Sequence, residues 1–137
     1  MTRVYIPLNR AALESAIERG EVGPAPLTAY AVTPELQASV GMDLDDEELE
    51  YAAYRLAVDA SRDMLAPDRS DDRRRLVMAA DVTAIRPGAG GDPGTITVPE
   101  PVEMAHVAAI HADTTDAAGD DEDLAWYATQ EAPDLLR

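Results

Sequence analysis

The chain has 137 residues and a formal net charge of −16, with no cysteine and with arginine as its one strongly basic residue type. Lacking Cys, it has no disulfide framework, thiolate metal site or thiol nucleophile; lacking Lys, it has no Schiff-base chemistry and no P-loop lysine. The charge repels phosphate backbones and anionic bilayers, so neither nucleic acid nor membrane is expected as a partner. The opening residues lack a signal-peptide layout and no apolar run approaches a membrane span, so the expectation is a soluble, cytoplasmic protein.

Arg3 to Leu8 alternates as a strand, with Val4 and Ile6 on one side and Tyr5 on the other. Pro7 lacks an amide hydrogen and marks the approach to the strand end. Asn9 is a good N-cap for a helix from Arg10 to Arg19, with Leu13, Ala16 and Ile17 as its apolar stripe and Gly20 as its stop. Gly23-Pro24-Ala25-Pro26 is a rigid loop, and Leu27 to Val32 reads as a strand. Thr33 caps a short helix with Pro34 at its first position, ending near Gly41.

The longest legible element runs from Asp45 to about Ala66. Leu49, Ala52, Ala53, Leu56, Ala57, Ala60 and Met64 recur at steps of three and four, the period of one helix face. Four acids suit its positive end, Asp45 with Glu48 forms a capping box, and Pro67 stops it. Leu49, Ala53, Leu56 and Ala60 are expected to be buried, and Glu50 and Asp59 exposed. The next stretch, through Asp71-Asp72-Arg73-Arg74-Arg75, reads as a solvated loop neutralised by its own aspartates.

Leu76 to Ala80 is a continuous apolar run, followed by Asp81-Val82, the pattern of a central strand buried on both faces. The Gly-rich segment near 88–94 has neither Walker order nor dinucleotide spacing and reads as a mobile hairpin connection. Thr95 to Val98 and Val107 to Asp113 are further strands. The segment near 114–123 is acidic, and Leu124-Ala125-Trp126-Tyr127 is an apolar cluster that docks on the core.

Three residues are the candidates for chemistry. His111 and Asp113 share a face of one strand and Asp81 ends another, so a general-base pair or a metal site centred on Asp81, His111 and Asp113 is one reading. Their spacing matches no established metal motif, and the plainer reading of His111 is a strand-end histidine bonded to a nearby carboxylate. The odd spacing from His106 puts the two histidines on opposite faces. Tyr51, Tyr54, Trp126 and Tyr127 are the candidates for partner binding. No cofactor is expected.

Several blocks carry a family likeness. They are Val4-Tyr5-Ile6-Pro7, the run Gly23 to Pro34, Glu47 to Ala53, Ala79-Ala80-Asp81-Val82, Val107 to Asp113 and Leu124-Ala125-Trp126-Tyr127. Their order resembles a family of uncharacterised actinobacterial proteins of about this size. The resemblance implies a compact domain of bacterial origin and transfers no catalytic residue.

The fold expected is a single α+β domain over residues 1–137, with a mixed or mostly antiparallel sheet of four to five strands and helices packed mainly on one face. The function expected is that of a non-enzymatic binding or adaptor protein recognising a basic partner. The alternatives are the small metal-dependent or general-base enzyme at Asp81, His111 and Asp113, and a nucleic-acid mimic.

Overall fold

The computed structural model describes residues 1–41, 43–65, 74–88, 92–114 and 124–136. They form a small single-domain α+β fold around one large sheet. The strands in chain order are β1 (Thr2–Leu8), β2 (Glu21–Val22), β3 (Leu27–Tyr30), β4 (Leu76–Val82), β5 (Arg86–Pro87), β6 (Thr95–Val98), β7 (Val102–Glu103), β8 (Val107–Ala112) and β9 (Ala125–Tyr127). Seven of them make a sheet of order β5-β6-β3-β1-β4-β8-β9, and β2 pairs with β7 in a separate ribbon. Every pairing among the described residues is antiparallel. The sheet is therefore wider than the four to five strands expected. The difference lies in β5 and β9, which are two and three residues long and too short to show a period.

The apolar run that opens β4 lies in a central strand, flanked by β1 and β8. Strands β5 and β6, on either side of the Gly-rich segment, pair antiparallel. Residues 89–91 and 115–123 fall outside the described residues, and with them the mobility expected near 88–94 and most of the acidic segment near 114–123.

Helix α1 (Arg10–Arg19) begins as its sequence dictates. Asn9 accepts the Ala12 amide at 2.9 Å, and Gly20 closes the helix at φ 74°, a left-handed conformation that glycine adopts without steric cost. Helix α2 (Pro34–Val40) is capped by Thr33, which accepts the Leu36 amide. Both Gly23–Pro24 and Ala25–Pro26 are cis peptides, in the loop before β3.

Helix α3 (Asp46–Asp63) has the complete capping box: the Asp45 carboxylate accepts the Glu48 amide at 2.8 Å, and Glu48 accepts the Asp45 amide in return. Replacing Asp45 with alanine should cost about 1 kcal/mol of stability. A urea titration checks this, and an unchanged midpoint would mean that the cap is redundant. The helix ends at Asp63, before Pro67. Its buried line is Leu49, Ala53, Ala57 and Ser61 with Val58, whereas Leu56 and Ala60 are only partly covered. Glu50 is half-buried rather than exposed, for a reason given below; Asp59 is exposed as expected.

Ser61 is the polar member of that line. Its hydroxyl donates to the Leu8 carbonyl at 2.6 Å and accepts the Leu76 amide at 2.9 Å, so it ties the helix to β1 and β4 with no polar atom left over.

Helices cover both faces of the sheet, not mainly one. On one face Val4, Ile6, Met78, Ala80 and Ile110 pack with Leu13 and Ala16 of α1 and with Ala132 and Leu135 of a C-terminal 3₁₀ helix (Thr129–Leu136). On the other, Tyr5, Val77 and Ala79 pack with Leu36 of α2, Ala53, Ala57 and Val58 of α3, and Leu124. The alternation along β1 and β4 demands two covers, because the residues between Val4 and Leu8 and between Leu76 and Ala80 are apolar on both sides.

Strand β8 contains a bulge. Ala79 pairs with Ala109, but Ala80 pairs with Val107, so Ala108 is the extra residue. Val107 consequently joins the core of the first face, while Ala109 turns to the second.

Candidate functional site

The register of the sheet builds a recess on the α3 face. Tyr5 lies opposite Ala79, and Ala79 opposite Ala109. One row along, Val77 lies opposite His111, and His111 opposite Trp126. Ala79 and Ala109 have only methyl groups, so the floor between Tyr5, His111 and Trp126 is low. The first turns of α3 form the opposite wall with Glu47, Glu50, Tyr51 and Tyr54. The cleft measures about 570 Å³ and is also lined by Arg3 and Leu124.

Its aromatic side is continuous. The rings of Tyr51 and Tyr54 are 5.8 Å apart, and Tyr54 meets the His111 ring edge-on at 4.9 Å and that of Tyr5 at 6.1 Å. Tyr51 and Trp126 are 53% and 61% exposed. Such exposure of two large rings on one recess is what a docking surface requires and a closed core does not.

Its polar side is anchored by Tyr5, whose hydroxyl donates to Glu50 Oε1 at 2.7 Å. That bond draws Glu50 over the sheet and explains its partial burial. Burial first, and then the bond to Glu50, raise the Tyr5 hydroxyl well above its ordinary value, so it remains a donor. Burial also lowers the His111 imidazole below its ordinary 6.5, and the Arg3 charge lowers it further. The ring is thus held neutral near pH 7. Its ring contact among the described residues is with Tyr54, and no hydrogen bond to a carboxylate is present among them, so an aromatic contact stands where a bond to a nearby carboxylate was expected.

Asp81, His111 and Asp113 each have a separate setting. Asp81 faces Arg3 across the β1–β4 pair and accepts from its guanidinium at 2.9 and 3.3 Å. It stands four residues from Val77, the residue opposite His111, or about 13 Å along the strand. Asp113 follows the end of β8 and is 3% exposed. It holds Arg75, also 3% exposed, by bonds of 2.8 Å to Nε and 2.7 Å to Nη2, and it accepts the Arg75 backbone amide at 2.8 Å. Among the described residues no three His, Asp or Glu side chains are placed to hold a metal ion. His106 lies in a 3₁₀ turn (Met104–His106) and lines a different cavity, beside Met1 and Val82.

The last two arginines of the cluster, Arg74 and Arg75, are engaged with the fold rather than solvated. Arg75 is engaged in the core with Asp113, and Arg74 donates to the Leu135 carbonyl. Asp71, Asp72 and Arg73 fall outside the described residues.

The Arg3–Asp81 pair sets an acid dependence. The hydrogen bond from Arg3 holds the Asp81 carboxyl below its ordinary 3.8, outweighing desolvation. A carboxyl lowered on folding stabilises above its unfolded value and loses that contribution as pH falls through the folded one. Urea midpoints of the Asp81→Asn variant should therefore converge with those of the parent below pH 3.8 and fall short of them above it. Parallel curves over the whole acid range would show that the pair contributes nothing.

The match to known proteins spans the chain. A family model described as a family of unknown function, DUF6912, covers residues 2–136. The chain belongs to DUF6912. No curated protein and no solved structure matches it. Membership in DUF6912 supports the reading of one uncharacterised domain and assigns no role to any residue in the recess. Among the described residues no helix is long and apolar enough to cross a membrane.

Of the four partner-binding candidates, Tyr51, Tyr54 and Trp126 meet at this recess. Tyr127 turns to the opposite face and packs beside the core there. Sequence reasoning did not assign Arg3, Tyr5, Glu47 and Glu50 to a site. The acids were legible as a helix start and Tyr5 as the residue opposed to Val4 and Ile6, but only the register shows that they face one another.

Proposed function

We propose that the protein is a non-enzymatic binding or adaptor protein that recognises a basic segment of a protein partner through the recess between α3 and the sheet. The observation that supports this is the joining of exposed aromatic faces, Tyr51 and Trp126, with the carboxylates of Glu47 and Glu50 in one cleft. Asp81 neutralises Arg3, and burial favours the neutral form of His111, so the two glutamates leave the recess acidic. The whole-chain charge of −16 adds a long-range field that draws in cations and repels polyanions.

The test is an association measurement with an arginine-rich peptide, an acidic peptide and double-stranded DNA at several salt concentrations. The basic peptide should bind, with an on-rate that falls steeply as salt screens the charges. Micromolar binding of DNA at near-physiological salt would overturn the reading. So would an on-rate for the basic peptide that is the same at low and high salt.

A further inference from the structure

Resting on the basic-partner reading, we propose that the recess is a subsite for one arginine side chain, its guanidinium stacked between aromatic faces and bonded to Glu47 and Glu50.

Three features select arginine among cations. First, a guanidinium is a plane with five N–H donors in a fixed fork, so it stacks on aromatic faces while bonding carboxylates at its edge; an ammonium is a compact, strongly hydrated point charge. The recess supplies both kinds of surface: Tyr51, Tyr54 and Trp126 as faces, and Glu47 and Glu50 as acceptors. Second, Glu50 is already oriented. Tyr5 takes one of its oxygens, and the other is left for a ligand among the described residues. Third, His111 brings a ring held neutral, with no hydrogen bond among the described residues, so it can accept one more N–H from the same group. The depth comes from Ala79 and Ala109, which face each other across β4 and β8 and leave the floor open.

A phosphate or a nucleotide fits poorly. Among the described residues the positive side chain lining the recess is Arg3, which is committed to Asp81 by two bonds, and the two carboxylates would repel the anion.

Trp126 is the only tryptophan in the chain, so its fluorescence reports the recess alone. The probes are three short capped peptides that differ at one central residue: arginine, lysine, or citrulline, the neutral isostere of arginine. The arginine peptide should shift or quench the emission and saturate, the lysine peptide should bind more weakly, and the citrulline peptide should leave the emission unchanged. The Glu47→Gln/Glu50→Gln double variant should lose about tenfold in affinity for the arginine peptide, the scale of one charge-assisted hydrogen bond. Ala109→Leu, which fills the floor, should abolish the response at unchanged charge; its fold is checked by circular dichroism. If Ala109→Leu does not fold, the glutamine variant decides.

Equal binding of the arginine and citrulline peptides, or an unchanged affinity in the glutamine variant, would overturn the assignment. If long arginine-rich peptides bind the parent and the recess variants alike, the basic-partner reading stands and the arginine subsite falls. If no basic peptide of either length binds the parent, the reading falls and the subsite with it.

Discussion

Replacing Asp113 with alanine will destabilise the fold by about 3–5 kcal/mol, the cost of stranding a buried charge without its partner. Arg75 and Asp113 are both 3% exposed, and one carboxylate accepts from Nε, from Nη2 and from the Arg75 backbone amide. The Asp113 amide also donates to the Arg75 carbonyl, so the pair clips the start of β4 to the end of β8. Urea denaturation of the single variant measures the loss. The double variant Arg75→Met/Asp113→Leu should recover a large part of it, because two apolar side chains of similar volume remove the stranded charge. It should not recover everything, since the Arg75 amide loses its acceptor. A loss under about 1 kcal/mol for Asp113→Ala would place the pair in the class of solvated surface bridges.

Met78→Ala should cost about 2–5 kcal/mol, the range for emptying a fully buried side chain. Met78 lies opposite Ile6 on β1 and Ile110 on β8, and the three form one row across the middle of the sheet. All three are essentially without solvent contact, and α1 with the C-terminal 3₁₀ helix closes over that face. Leu56→Ala is the internal comparison. Leu56 belongs to the apolar stripe of α3 but is only partly covered, so its loss should be smaller. Thermal or urea unfolding of the two variants settles the order. A Leu56 effect as large as that of Met78 would mean that the apolar stripe, and not the observed burial, marks the true core.

The elements that were legible in the sequence are those specified by residues within one turn of each other. Asn9 with Gly20, Thr33 with Pro34, and Asp45 with Glu48 are local chemistry, and each cap forms where those residues place it. The apolar runs of β1 and β4 likewise state their burial directly. The apolar stripe of α3 marks the buried side of the helix, but the buried line is centred on Ala57 and Ser61 rather than on Leu56 and Ala60. Small residues decide that centre: Ala57 and Ser61 are buried because β1 and β4 pass close beneath them, and an alanine or serine carries little hydrophobic signal of its own.

What was not legible depends on register. Arg75 finds Asp113 and Tyr5 finds Glu50 across 38 and 45 positions of sequence. The floor of the recess is two alanines brought together from positions 79 and 109. Nothing within a short window distinguishes these alanines from any others. The C-terminal 3₁₀ helix is illegible for a related reason, since Pro133 interrupts the period that would link Ala132 to Leu135.

The bulge at Ala108 makes β8 tolerant of one particular change in length. On a regular strand, residues at odd spacing face apart; here Val107 and Ile110, three positions apart, share the core face, and Ala109 and His111 share the other. Loss of the single codon for Ala108 would restore strict alternation with both sets on the faces they now hold: Val107 and Ile110 would stand two apart on the core face, and Ala109 and His111 two apart on the other. A gap at this one alignment column therefore leaves unaltered which side chains the cleft presents.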